Sequence, residues 1–400
     1  MSKTVLFLAD GMADEPIEEL GGKTPLEYAH TPNMDKIAAS GASGTFLSLP
    51  KGFPTSSDVA NMSVLGYDLA RFYPGRGPLE ALSQNIALKE DDIAWRCNLI
   101  TVKDSLIEDY SAGHIDNSVS SQLMDFLQQK LGSEKITFYP GVSYRNLLIL
   151  HGKEFSDKID YAKPDSSHGE NVRDIALNPL EKNAEYTVKF LNEIIEEAAE
   201  LLAAHPLNQG KDAPANYIWP WSPGKKPAFP EFSQKYGGKK GAVISAVDVI
   251  FGIAKCASMD IIKVEGATGF IDTNYEGKAA AALKALEDHD FVYLHVEAPD
   301  ECSHIGDLKL KIKAIEDFDS KIVGPVMSKL DMKSSVFAIL PDHPVPIKLR
   351  KHTRTPVPVA VCGPHIKPDH IMTYSEKNAP AGALGHMKDD QLMKLILDLK

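Results

Sequence analysis

Three short runs of β-branched, aromatic and aliphatic residues each lead into an aspartate, one near the start of the chain and two in its last third. Thr4–Ala9 (TVLFLA) meets Asp10-Gly11, Phe291–Val296 (FVYLHV) meets Glu297-Ala298-Pro299-Asp300, and Ser335–Leu340 (SVFAIL) meets Pro341-Asp342-His343. These runs are continuously apolar, without the alternation of a half-exposed strand. Strands buried on both faces read this way, and they belong to a mostly parallel sheet covered by helices. A fourth run, Val357–Cys362, has the same character. Between the runs the period changes. Ile312, Ile315, Phe318, Ile322, Val326 and Leu330 recur at helical spacing with Lys, Glu and Asp between them, which predicts one helix. Phe190, Ile194, Ala198 and Leu201 predict another from about Tyr186 to Ala204.

A chain of 400 residues is long for a single core and suits about two domains. From about 86 to 225 the strands shorten, as in Leu147–Leu150, and polar turns multiply. This stretch reads as a smaller α+β domain, 86–225, inserted into a sheet domain made of 1–85 and 226–400. The prolines at 214, 220, 223, 227 and 230 suggest a linker near 205–235.

No apolar run approaches the roughly 18 residues that span a bilayer, so no membrane role is expected. The apolar start lacks a small-residue cleavage site and reads as a strand, not a secretion signal. Cys97, Cys256, Cys302 and Cys362 form no paired motif, which fits free thiols in a cytoplasmic protein. The net charge of −12 argues against nucleic acid as a partner. It also looks wrong for an enzyme acting on anions, unless bound divalent cations dominate the charge of the site.

In open α/β sheets the site lies at the carboxyl ends of the strands, which can gather Asp10, Asp300 and Asp342 into one pocket. Any one of them alone would serve equally as a helix cap. The neighbouring histidines change the reading. Asp300 and His304 are four apart in DECSH and share a face if a helix begins there. Asp342 and His343 are adjacent in PDHP, and His386 lies in the glycine-rich GALGHMK. Mixed imidazole and carboxylate ligands favour manganese or zinc over magnesium or calcium. The remaining histidines read as structural or exposed. Ser57, at the head of SDVAN, is either an ordinary helix cap or a nucleophile placed where helix amides hold a phosphate.

The segments DGMAD (10–14), GKTPLEYAHTPNMD (22–35), SSDVANMSVLGYD (56–68), GRGPLEA (75–81) and SAGHI (111–115) resemble the archaeal-type cofactor-independent phosphoglycerate mutases. So do GVSYRNLL (141–148), PANYIWPW (214–221), GATGFIDTNYEGKA (266–279), HVEAPDECSHIGD (295–307), LPDHPVP (340–346) and GHM (385–387). The resemblance covers nearly the whole chain in order, and the family belongs to the alkaline phosphatase superfamily. It implies an alkaline-phosphatase-like sheet sandwiched by helices and two divalent cations. One would be held by Asp300, His304 and His386, the other by Asp10, Ser57, Asp342 and His343. It implies that Ser57 carries phosphate as phosphoserine, with no bisphosphoglycerate required. Asp58 and Asn61 would contact a small phosphorylated substrate. From the insert, His114 suits proton transfer and Arg145 suits an anion clamp, with Arg76 a further candidate.

The implied reaction is interconversion of 3-phosphoglycerate and 2-phosphoglycerate, with glycerate trapped beneath the insert while it reorients. Lys163–Gly169 departs from the family, with Asp165 where relatives carry histidine and His168 nearby, and Ser222 stands where relatives often have glycine. The alternative in the same family is an ATP-dependent homoserine kinase. A plain phosphatase and a silent binding protein are further readings. The sequence leaves oligomeric state open.

Overall fold

The computed structural model describes residues 2–399. It divides into two compact units: Met1–Tyr73 with Ala228–Lys400, and Pro74–Pro227. The first boundary falls twelve residues before the expected 85/86, because the helix Arg76–Ser83 belongs to the second unit.

Strands are numbered along the chain. The first unit opens with β1 (Lys3–Ala9) and β2 (Ala42–Phe46). The second unit holds β3 (Ile93–Lys103), β4 (Leu106–Asp109), β5 (Ile136–Val142), β6 (Arg145–Leu150), β7 (Ile159–Asp160), β8 (Asn178–Pro179) and β9 (Tyr217–Lys225). The first unit then continues with β10 (Gly241–Ile244), β11 (Asp260–Ile262), β12 (Phe291–Val296), β13 (Ser335–Leu340), β14 (Val357–Cys362) and β15 (Gly385–Met387).

In the first unit eight strands form one sheet, in the order β11-β10-β12-β1-β13-β14-β2-β15. β1 lies between β12 and β13 and is parallel to both, so the three acid-terminated runs are adjacent and end on the same side. β14 alone runs against its neighbours, antiparallel to β13 and to β2. Val5, Phe7 and Ala9 of β1, Val292 and Leu294 of β12, and Phe337 and Ile339 of β13 are fully buried in a core shared with Ala314, Ile315, Phe318, Ile322 and Val326. The expected helix over 312–330 is broken into a helix Leu308–Phe318, a π turn Asp319–Val323 and a helix Gly324–Lys329. The π turn places Asp319 so that its carboxylate accepts from the amides of Asn33 and Met34, at the start of the helix Pro32–Ala39.

In the second unit β3 is central, flanked by β6 and β9, with β5 beyond β6 and β4 pairing the end of β3. The helices Asn117–Leu131 and Glu185–Ala204 supply Leu123, Leu127, Leu191 and Leu202 to its core. The expected linker at 205–235 is largely absent, because Tyr217–Lys225 is β9. Pro220 and Pro223 fit that strand because β9 pairs on one side only, where a missing amide donor leaves no ladder bond unmade. No helix among the described residues is long and apolar enough to cross a membrane.

Candidate functional site

The carboxyl ends of β1, β12 and β13 gather the predicted acids. Asp10 follows β1 directly, is fully buried, and donates its amide to Val296 O at 2.9 Å. Gly11 makes the close approach possible. It has φ +61°, and a Cβ there would lie 2.7 Å from the Asp300 Cα. After β12 the helix Ala298–Ile305 begins, with Pro299 in its first turn, so Asp300 and His304 stack one turn apart. After β13 the chain turns through Asp342 and His343, both fully buried.

Four overlapping groups of ligand-type atoms result among the described residues. Two of them run through Glu297, with His295 or Glu301, and the other two hold the expected acid-histidine pairs. In one, His343 Nε2 lies 3.4 Å from Asp10 Oδ1, 3.4 Å from Asp342 Oδ2 and 3.2 Å from Ser57 Oγ. In the other, His304 Nε2 lies 3.3 Å from Asp300 Oδ2 and 3.0 Å from His352 Nε2, and His352 Nε2 lies 3.5 Å from Asp300 Oδ1. Ligand atoms about 2.1 Å from a tetrahedral ion sit about 3.4 Å apart, so both groups have the spacing of ligands around one cation. The rings of His343 and His352 stack at 3.8 Å between centroids and join the two groups.

His352 was not anticipated from the sequence, and His386 takes a different place from the one expected. His386 lies exposed on β15, its Nδ1 2.5 Å from Thr45 Oγ1, and belongs to none of the groups of clustered ligand atoms among the described residues. The position beside Asp300 and His304 is held by His352 instead.

Ser57 opens the helix Ser57–Val64, whose eight residues are all buried. Asp58 and Asn61, expected to contact substrate, both make hydrogen bonds within the fold, while Asp58 Oδ1 is buried without a hydrogen-bond partner. Asn61 is fully buried, and its Nδ2 donates to Ser57 O and to Asp342 Oδ2, both at 2.8 Å. Its Oδ1 accepts from the Tyr293 hydroxyl. Asp58 accepts from Tyr73 Oη at 2.7 Å. Asn61 therefore joins the Ser57 backbone to the Asp342 carboxylate.

The electrostatics are those of a site short of positive charge. Burial, then the nearby Asp342, Glu297 and Asp300, raise the Asp10 pKa well above the ordinary carboxylate range. Burial also raises Asp342, against the opposing pull of His343. Glu297, partly buried and beside Asp300, is pushed up to about 8 by desolvation and that neighbouring charge. His304 is raised to about 9, because its hydrogen bond and attraction to Asp300 outweigh burial. Asp10 Oδ1, Asp300 Oδ1 and Glu297 Oε2 are buried without a hydrogen-bond partner. Carboxylate oxygens left bare in this way fit divalent cations.

The second unit carries a cluster of opposite sign. Arg76 Nε pairs with Glu80 Oε1 at 2.6 Å, and the buried Arg96 pairs with the same oxygen. Both guanidiniums lie over Trp221, at 5.9 and 5.6 Å from its ring. Burial would raise the Glu80 pKa, but Arg96, Arg76 and Arg145 hold it down. Arg145, at the start of β6, is exposed and lies 5.7 Å from the Tyr144 ring. His114 is exposed on a tight turn where Asp109 accepts from the amides of Ser111 and Gly113, and its ring meets those of Tyr110 and Tyr144 edge-on. Arg96 and Glu80 were missed by the sequence reading. An arginine inside the apolar run IAWRCNLI was the available signal.

A mostly parallel sheet ending in two acid-histidine groups around a helix-start serine defines an α/β enzyme whose site takes divalent cations. Known proteins narrow this. A family model described as 2,3-bisphosphoglycerate-independent phosphoglycerate mutase matches residues 38–208. A protein of that name from Methanosarcina acetivorans is 46% identical over 403 residues, covering 99% of this chain and 99% of its own. A Geobacter sulfurreducens protein named as a probable member is 44% identical, covering 99% of this chain and all of its own. A solved structure from Pyrococcus horikoshii superposes with a TM-score of 0.83 at 30% identity, over 99% of this chain and 97% of that one. A cofactor-independent phosphoglycerate mutase from Thermoplasma acidophilum gives 0.66 at 28% identity, over 100% and 99%. The chain belongs to the family of 2,3-bisphosphoglycerate-independent phosphoglycerate mutases.

Proposed function

We propose that this chain interconverts 3-phosphoglycerate and 2-phosphoglycerate in the cytoplasm through a phosphoserine at Ser57, without bisphosphoglycerate. The observation that carries this reading is the Ser57 hydroxyl 3.2 Å from His343 Nε2 and beside the Asp10–Asp342 carboxylates, in a chain matched end to end by relatives bearing that name. Asp10, Ser57, Asp342 and His343 would hold one cation and Asp300, His304 and His352 the other, with manganese or zinc best suited to these donors. When bound, such ions polarise phosphoryl oxygens and lower the pKa of a coordinated hydroxyl.

The protein's own groups then have definite tasks. The helix start orients Ser57 Oγ, and Asn61 keeps that turn fixed to Asp342. As the Oγ–P bond forms, the bond from phosphorus to the substrate oxygen breaks, and that oxygen takes up a proton, for which exposed His114 is the proposed carrier. In the second half the other glycerate hydroxyl loses its proton and takes the phosphate from Ser57. Arg145, with Arg76 and Arg96, supplies cationic groups suited to an anionic substrate.

An enolase-coupled assay with manganese and no nucleotide tests this, run beside homoserine plus ATP. Turnover of 3-phosphoglycerate that stops with a chelator and returns with manganese is the expected result. Phosphohomoserine formation, with no mutase turnover in fully metallated enzyme, would overturn it.

A further inference from the structure

Lys311 interrupts the apolar face of the helix Leu308–Phe318, yet it is completely buried. Its ammonium donates to Asp14 Oδ2 at 2.7 Å and to the Val345 carbonyl at 2.9 Å, and reaches the Ala13 carbonyl at 3.5 Å. Asp14 in turn accepts from the Ile347 amide at 3.1 Å, and Val345 donates its amide to Ala13 O at 3.1 Å. Asp14 and Ala13 lie in the loop that begins at Asp10. Val345 and Ile347 lie in the loop that begins at Asp342-His343. The helix bearing Lys311 starts three residues after the end of the helix that carries Asp300 and His304.

We propose that Lys311 is a positioning residue. It fixes the loops after β1 and β13 against the helix pair that follows β12, and so sets how tightly the site holds its cations. This inference rests on the reading of these acids and histidines as cation ligands. Lys311 touches no candidate ligand and acts through backbone carbonyls and Asp14. A buried ammonium with three acceptors has fixed directions of approach, so the two loops cannot shift independently without leaving it unsatisfied. Neutral residues of similar length would fill the space without supplying that constraint.

The test is calorimetric titration of metal-stripped protein with manganese, with the melting temperature of the metal-free form measured in parallel. Lys311→Met should weaken manganese binding about 10- to 100-fold, the range for supporting groups behind metal ligands. Exposed Lys313, on the same helix, provides the control, and Lys313→Ala should bind as the unaltered protein does. Lys311→Met leaves the Asp14 carboxylate buried and unpaired, so the double variant Asp14→Asn/Lys311→Met serves if the single one does not fold. It removes both charges and should show the same weakening. Manganese affinity within about twofold of the unaltered protein, in either variant when folded, would overturn the proposal. Failure of the unaltered protein to bind manganese would instead sink the cation reading beneath it.

Discussion

The two units bury charge in opposite ways. In the first, Asp10, Asp300, Asp342 and Glu297 crowd the ends of three parallel strands, and burial with like-charged neighbours drives Asp10, Asp342 and Glu297 upward. In the second, Arg76 and Arg96 share the single carboxylate of Glu80, with Arg145 close enough to help hold that carboxylate down. The acid cluster of the first unit lacks positive charge, and the arginine cluster of the second lacks negative charge. A fold tolerates such an imbalance when a ligand supplies the missing sign, cations in the first case and, under the proposed function, a substrate anion in the second. The −12 net charge does not report this contrast, which belongs to two local clusters and not to the units as wholes.

The largest effect should come from the acid-rich centre. Ser57→Ala should lower mutase turnover by about 10⁴-fold or more while leaving the fold intact. Rapid-quench mass spectrometry should find phosphate on Ser57 in the unaltered enzyme. Phosphate on another residue, with the variant still active, would remove Ser57 from the mechanism.

Next, Glu80→Gln should destabilise the chain by about 3–5 kcal/mol, the range for breaking a buried ion pair by removing one partner. Added inorganic phosphate should recover part of the loss in urea unfolding, since it supplies the absent negative charge. A loss below about 1 kcal/mol would show that the arginines are screened by solvent, and the contrast between the units would weaken.

A smaller effect separates two histidines. His352→Ala should weaken manganese retention about 10- to 100-fold. His386→Ala, on its exposed strand, should leave retention nearly unchanged. The reverse order in dialysis against a chelator would return His386 to the ligand set.

The smallest effect concerns pH. Glu376 lies in the first unit away from the acid cluster, where burial raises its pKa from 4.5 to about 7, against hydrogen bonds from Thr24 and the Asp14 amide. The folded chain therefore holds a proton between those values that the unfolded chain releases, and stability falls as pH rises through that window. Glu80 has the opposite sign. Its depressed pKa gives stability present above the unfolded value and lost as pH falls through the folded one. Glu376→Gln should flatten the decline in melting temperature from pH 4.5 to 7 by a few degrees, about what 1–2 kcal/mol gives. A decline of unchanged slope would show that other groups carry it.

Much of the site was legible because each acid follows a strand that is apolar throughout, and the three strands run parallel side by side. That pattern locates Asp10, Asp300 and Asp342, and helical spacing adds His304. It could not locate His352. His352 precedes β14, the one strand that runs against the rest, so the start of β14 lies at the end where its neighbours finish. A rule that looks only after strands passes over it. His386 misled for a related reason: its glycines permit a close approach to a site but equally permit an edge strand, and here they form one. Asp58 and Asn61 stood correctly beside Ser57, but their partners Tyr73, Tyr293 and Asp342 come from other segments, and spacing says nothing of such bonds. Lys311 was hidden because a lysine within an apolar stripe is normally placed at the surface.

The central place of β1 has a consequence for synthesis. Its partners, β12 and β13, leave the ribosome after roughly 280 to 330 more residues, which takes about 15 to 60 seconds at 5 to 20 residues per second. During that interval TVLFLA has neither neighbour, whereas the strands of Pro74–Pro227 emerge consecutively with all their partners. The newborn chain thus carries an apolar strand with two open edges, the kind of segment that holding chaperones capture and that aggregates when they are scarce.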